Sequence, residues 1–298
     1  GKGATSRKTP EQIQDWGQKL SLPWQHVNNL EYNSRMAAKV DSSLIDDGFQ
    51  IYHHSFFFSR NGAWTVVQQG MNTKEQSARR YHWFSENIED LVCEPHSGIA
   101  SQGQRRPTLN LTSKDSTKTR EVSTELIGGG YNTLMRDIEI LRKHSSELSK
   151  MISFKISKGV PGTPLRGGDE GVTLLKLENR EFSYHPVVQE DFSKSKYLEK
   201  ILQKVTDEKP ENYEKLLATQ GVGPKTIRAL SLVSEIIYGA DPSYEDPARY
   251  SFAHGGKDAT PYPVDRETYD ETISIMRQAV SKTKMSSYDK DKALRRLV

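Results

Sequence analysis

A single cysteine, Cys93, in 298 residues excludes an internal disulfide and any cysteine-rich zinc or iron–sulfur site within the chain, and it fits a reducing compartment. No apolar run approaches the roughly 20 residues that a membrane helix needs. No signal-peptide pattern is visible either, so a cytoplasmic location with no membrane partner is expected. Neither sign of charge dominates: 42 Lys and Arg against 39 Asp and Glu leave a net charge of +3, too small to demand a nucleic-acid partner. Basic pairs such as Arg79-Arg80, Arg105-Arg106 and Arg295-Arg296 still allow a local positive face. The chain begins at Gly1 instead of Met, as a processed or trimmed product would. With 34% hydrophobic and 27% charged residues, the composition is that of a polar globular protein. Its length predicts two domains and a substantial core.

Helix signals open the chain. Thr9 as N-cap, Pro10 at the first helical position and Gln12 closing a capping box predict a helix over 9–20, and a second helix is expected from Leu30 to Ile45. Past Gly48 the pattern turns to aromatic and β-branched residues. Phe49 to Phe58, the turn Arg60-Asn61-Gly62 and Ala63 to Gln69 predict a hairpin, with a third strand from Arg80 to Phe84. Residues 97–124 are rich in Ser, Thr, Lys and Gln with little apolar periodicity, and predict a loop or linker. Helix follows over 125–151, interrupted by Gly128-Gly129-Gly130, then a loop at 158–172 and a strand or two in 173–184. Further helices are expected at 193–207, 211–219, 224–239, 264–281 and 287–297. The fold class is α+β: an N-terminal α/β part with a small antiparallel sheet over 1–124, and a mainly helical part over 125–298.

The sharpest local signal is Gly221-Val222-Gly223-Pro224-Lys225-Thr226, which leads into the apolar-periodic run Ile227, Leu230, Val233, Ile236, Ile237. The glycines permit a tight turn, and Pro224 at the first helical position gives up an N–H that a helix start would leave unpaired anyway. Free amides at a helix N-terminus beside Lys225 and Thr226 suit an anionic oxygen, with a nucleic-acid phosphate the obvious ligand. The spacing resembles the helix-hairpin-helix, which grips the DNA backbone without reading sequence. On that resemblance Gly221, Val222, Gly223, Lys225 and Thr226 contact DNA, with Arg79, Arg80 and Lys257 adding to the surface. The alternative is a plain corner between two helices.

Downstream, Arg249 to Asp258 leads to Pro261-Tyr262-Pro263-Val264-Asp265 and then a helix. This order resembles the helix-hairpin-helix DNA glycosylases, including the archaeal branch that excises oxidised guanine. The resemblance implies an N-glycosylase or lyase acting on damaged or non-standard bases without a cofactor. In it Lys225 attacks the sugar C1′ to form a Schiff base, and Asp265 orients the nucleophile or stabilises the cationic transition state. The chemistry suits the residue types, since a desolvated lysine becomes a nucleophile and a carboxylate in a water-excluded site stabilises developing positive charge. In the alternative, Lys225 neutralises a phosphate and Asp265 caps the next helix.

A broader pattern runs through Ala37-Ala38-Lys39-Val40-Asp41, Tyr52-His53-His54, Trp64 to Asn72, Ala78 to Trp83, Glu94-Pro95-His96 and Asp246 to Asp258. It resembles the archaeal and bacterial family catalogued as domain-of-unknown-function family 763, over about residues 1–280, and it implies no activity.

Polar residues crowd the N-terminal strands. His53 and His54 must face opposite sides of a strand, so a metal site would draw on one of them with His82, Glu94 or His96. That spacing matches no zinc finger or metalloprotease motif. A hydrogen-bonded sheet face is one alternative, and a base-stacking surface of Trp64, Tyr81, Trp83 and the arginines is another. A metal-dependent nuclease using Asp41, Asp46 or Asp47, with the hairpin as an anchor, is the remaining rival to DNA repair chemistry and to a non-catalytic DNA-binding module.

Overall fold

A computed structural model describes residues 7–74, 76–101, 107–141, 195–248 and 266–297. The expected loop and strands of 158–184, together with Lys257 and Asp265, lie outside the described residues.

The first helix, α1 (Thr9–Lys19), starts at Thr9 itself, with Lys8 as the flanking residue, because Arg7 and Lys8 already form a 3₁₀ turn that runs into the helix. Its buried Ile13 and Gly17 face α2 (Trp24–Ser43). Along α2, Val27, Leu30, Ser34, Ala37 and Asp41 recur at three- and four-residue intervals, which makes one buried face of mixed apolar and polar character. That face lies against a four-stranded antiparallel sheet, β2 (Gln50–Phe58), β3 (Trp64–Asn72), β4 (Ser77–Phe84) and β5 (Gly98–Ser101), in that order. The predicted hairpin is present, with Phe58 paired to Trp64 and Gly62 at φ +95°. Two short strands, β1 (Ile45–Asp46) and β6 (Leu109–Asn110), pair separately.

Residues 97–124 are not a linker. They supply β5, β6 and most of α3 (Thr117–Gly128), and Thr119, Arg120 and Ser123 of α3 are buried. Hydrogen bonds explain how such polar side chains go inside. Thr119 Oγ1 donates to the Ala240 carbonyl at 2.8 Å, Arg120 to the Leu111 and Ser113 carbonyls, and the Ser123 hydroxyl meets that of Ser234 at 3.0 Å. After Gly130 (φ +90°), residues 131–141 form α4.

The described residues from 195 onward are mostly helical, as expected. Ser195 caps α5 (Lys196–Glu208), whose Leu198, Ile201, Leu202 and Val205 form its buried stripe. Asn212 caps α6 (Tyr213–Ala218) by accepting from the Lys215 amide at 2.9 Å. Then come α7 (Pro224–Ile236), α8 (Arg266–Lys282) and α9 (Ser287–Leu294). One hydrophobic cluster joins Ile13, Val40 and Trp83 to Leu202, Leu216, Ile227 and Val233, so the core is continuous across residue 124. Among the described residues no helix is long and apolar enough to cross a membrane.

Candidate functional site

Two places bring chemistry-bearing residues together. The first is the turn between α6 and α7. Gly221 sits at φ +96°, and a Cβ there would overlap the Ile201 side chain, so both backbone and packing require glycine. Val222 is buried and anchors the turn in the core. The turn's carbonyl side is held by two lysines: Lys39 Nζ donates to Leu217 and Thr219 at 2.6 and 2.8 Å, and Lys204 Nζ to Gln220 at 3.1 Å. Burial, reinforced by the neighbouring Lys204, pulls Lys39 down to about 8. On the amide side, the first bond of α7 runs from Ile227 N–H to the Gly223 carbonyl at 3.1 Å, and no side chain caps the helix. The amides of Lys225 and Thr226 therefore precede the helical ladder. Lys225 is exposed, whereas Thr226 is buried.

The second place is a chain of buried polar groups between α2 and the sheet, leading to a cleft. Gln68 Nε2 donates to the Ala37 carbonyl at 3.0 Å and to Asp41 Oδ2 at 2.5 Å. With the amide nitrogen turned to two acceptors, its oxygen must accept from His54 Nδ1 at 3.0 Å, which leaves His54 Nε2 to accept from the Ser34 hydroxyl at 3.0 Å. Asp41 Oδ2 also accepts from the Trp83 indole at 3.1 Å, and Oδ1 lies 2.5 Å from His96 Nε2. Because the carboxylate can only accept, His96 Nε2 carries a proton towards Asp41. Trp83 meets the His96 ring edge-on at 4.9 Å and fixes its plane. Beyond His96 opens a cleft of about 340 Å³ that includes Glu94, Asn110, Thr112, Asp115 and Glu245.

Sequence expectations fall unevenly on these places. Arg79, expected at a nucleic-acid surface, points into the protein and is 3% exposed, because strand alternation places it with Tyr81 and Trp83 on the inner face. Its guanidinium binds Asp47 at 2.9 Å and Asp246 at 2.9 and 3.0 Å. Arg80 is exposed on the opposite face. His53 and His54 do face opposite sides: His53 Nε2 meets Ser55 Oγ at 2.9 Å on the outer face. His82 is also on the outer face, whereas His96 joins Asp41 inside. Among the described residues no three His, Cys, Asp or Glu side chains are arranged to hold a metal ion. The nuclease acids are likewise separated: Asp41 serves the polar chain, Asp46 pairs with Arg228 at 3.3 Å, and Asp47 with Arg79.

The Asp41–His96 pairing and the cleft residues Asn110, Thr112, Asp115 and Glu245 were missed by sequence reasoning. One signal was available. His54 and Gln68 occupy inward positions in strands whose other inward residues include Phe56, Phe58, Trp64 and Val66, which marks a polar network inside the sheet.

Burial pushes the His54 imidazole below its ordinary value of 6.5, and burial together with Arg80 and His96 does the same to His82. Both histidines therefore take up protons more readily unfolded than folded. Their contribution to stability is present above pH 6.5 and is lost as pH falls below it. Urea unfolding from pH 8 to 5 is expected to show falling stability below 6.5, with a shallower fall in His54→Gln. An unchanged slope in that variant would remove His54 as a source.

No curated protein matches the chain significantly, and neither does any solved structure. Residues 1–264 match the model of the family described as "Protein of unknown function (DUF763)", and the chain belongs to that family.

Proposed function

We propose that this protein binds the sugar-phosphate backbone of DNA through the turn between α6 and α7, in the manner of a helix-hairpin-helix. The observation that carries the proposal is Gly223. Its φ of −154° and ψ of −167° are extended values open to any residue, and nothing lies within 4 Å of where a Cβ would stand. Neither backbone nor packing calls for glycine there, whereas close approach by another molecule's backbone does. The uncapped amides of α7, the exposed Lys225 and the charges of Lys39 and Lys204 support an anionic partner. An exposed Lys225 suits phosphate contact better than the desolvated nucleophile of a glycosylase, so the proposed activity is binding.

The two glycines separate folding from binding. Gly223→Val should leave stability within about 0.5 kcal/mol of wild type and weaken binding to a mixed-sequence duplex by about tenfold or more. Gly221→Val should instead destabilise the fold by about 2 kcal/mol or more. Lys225→Ala should lower the slope of log affinity against log salt by about 0.9. Wild-type affinity should also fall as pH rises through about 8, where Lys39 loses its charge. Fluorescence anisotropy over salt and pH series measures the three binding effects and urea unfolding the stabilities, and wild-type affinity in both Gly223→Val and Lys225→Ala would remove the turn from the interface.

A further inference from the structure

We propose that the turn takes its DNA at a boundary between duplex and single strand, with the Tyr197 ring stacking on the first unpaired base. The inference rests on the phosphate-binding role proposed for the turn and adds the kind of DNA that it selects. Tyr197 stands in the first turn of α5 and is 64% exposed. Its hydroxyl is nonetheless 3.5 Å from the Gly221 carbonyl, so the side chain leans on the turn while its ring stays open to solvent. Gly223 follows Gly221 by two residues, at most about 7 Å of chain. The ring therefore stands beside the phosphate site.

The packing of α5 holds it there. Tyr197, Ile201 and Lys204 recur at four- and three-residue steps and so share one side of the helix. Ile201 occupies the space that a Cβ on Gly221 would need, and Lys204 Nζ donates to the Gln220 carbonyl at 3.1 Å. That side of α5 thus runs along the turn. Lys196 and Lys200, both exposed, flank Tyr197, and Lys225 is exposed on the turn's amide side. Among the carboxylates of α5, Glu199 is two residues from Tyr197 and so faces elsewhere, while Asp207 and Glu208 lie nearly three turns on. Phosphates answer the ammonium groups, and the flat face of a base answers the ring. In a duplex each base is already paired and stacked, so only an unpaired one can cover Tyr197.

Fluorescence anisotropy with one mixed-sequence duplex, blunt or carrying a short thymidine overhang at the 3′ or the 5′ end, tests the assignment. Wild-type protein should bind at least one overhang duplex about fivefold or more tighter than the blunt one. Tyr197→Ala should weaken binding to that overhang duplex by about fivefold or more. Blunt-duplex affinity, urea stability and the salt slope on each DNA should stay at wild-type values, because the ring is exposed, alanine is a strong helix former and stacking releases no counterions. Tyr197→Phe should bind as wild type does, since the ring and not the hydroxyl stacks. Four results would each overturn the stacking role while leaving the turn's own role intact: no overhang preference in wild type, undiminished overhang binding in Tyr197→Ala, an equal loss in Tyr197→Phe, or an equal loss on the blunt duplex. Wild-type affinity in Gly223→Val and Lys225→Ala would instead remove both.

Discussion

Arg79→Met is expected to destabilise the fold by about 3–5 kcal/mol in urea unfolding at pH 7, because it removes the cation from between two buried carboxylates. Asp47 and Asp246 are 1% and 2% exposed and both bond the guanidinium, while Tyr81 Oη donates to Asp47 at 2.6 Å and Phe49 stacks 4.7 Å from the guanidinium carbon. Burial already raises Asp47 above its ordinary value despite Arg79, so removal of the guanidinium leaves a charge that the interior rejects. A carboxyl raised in the folded state holds its proton to higher pH there than when unfolded. Its protonation therefore favours the fold at low pH, and that benefit is lost as pH rises. The deficit of Arg79→Met should accordingly be largest near neutrality and shrink as the pH falls and both carboxyls protonate. A triple replacement, Asp47→Leu, Arg79→Met and Asp246→Leu, should recover much of the loss, because the cost lies in the unpaired charges and not in the lost pair itself. A loss below about 1 kcal/mol in Arg79→Met would mean that water reaches the triad.

The same triad shows what the sequence made legible. The hairpin could be read because Arg60-Asn61-Gly62 carries its own turn chemistry, α5 and α6 because caps and apolar stripes coincide, and α7 because Pro224 opens its apolar stripe. Arg79-Arg80 looked like a surface pair because charge predicts exposure for an isolated residue. Asp47 and the distant Asp246, brought beside β4 by the fold, together make burial of Arg79 tolerable. The helix α3 was hidden for the same reason. Thr119, Arg120 and Ser123 occupy its inner face, where each is satisfied by a carbonyl or hydroxyl far along the chain or in the preceding turn, so the hydropathy period that marks a helix is absent. In the site, Glu94 and His96 were legible as reactive types, but their assignment was not. Asp41 lies 55 residues from His96, and nothing local says that its carboxylate orients that ring. The turn at 221–226 was read as a unit, yet packing and backbone require glycine only at Gly221 and not at Gly223, a distinction that needs the position of Ile201.

Asp41 gives the second large effect. Asp41→Ala should cost about 3–5 kcal/mol, since it strands buried donors of Gln68, Trp83 and His96 at a position 1% exposed. Asp41→Asn is the more informative change. Its amide oxygen can keep the Gln68 and Trp83 donors, while its nitrogen, facing His96 Nε2, must donate. That bond requires Nε2 to accept, so the His96 proton moves to Nδ1. The stability loss should then be only about 1 kcal/mol, that of exchanging a charged hydrogen bond for a neutral one. Histidine ¹⁵N spectra should show His96 Nε2 changed from protonated in the wild type to unprotonated in Asp41→Asn. If Asp41→Asn kept Nε2 protonated, Asp41 would not orient the His96 ring and would be a packing residue only.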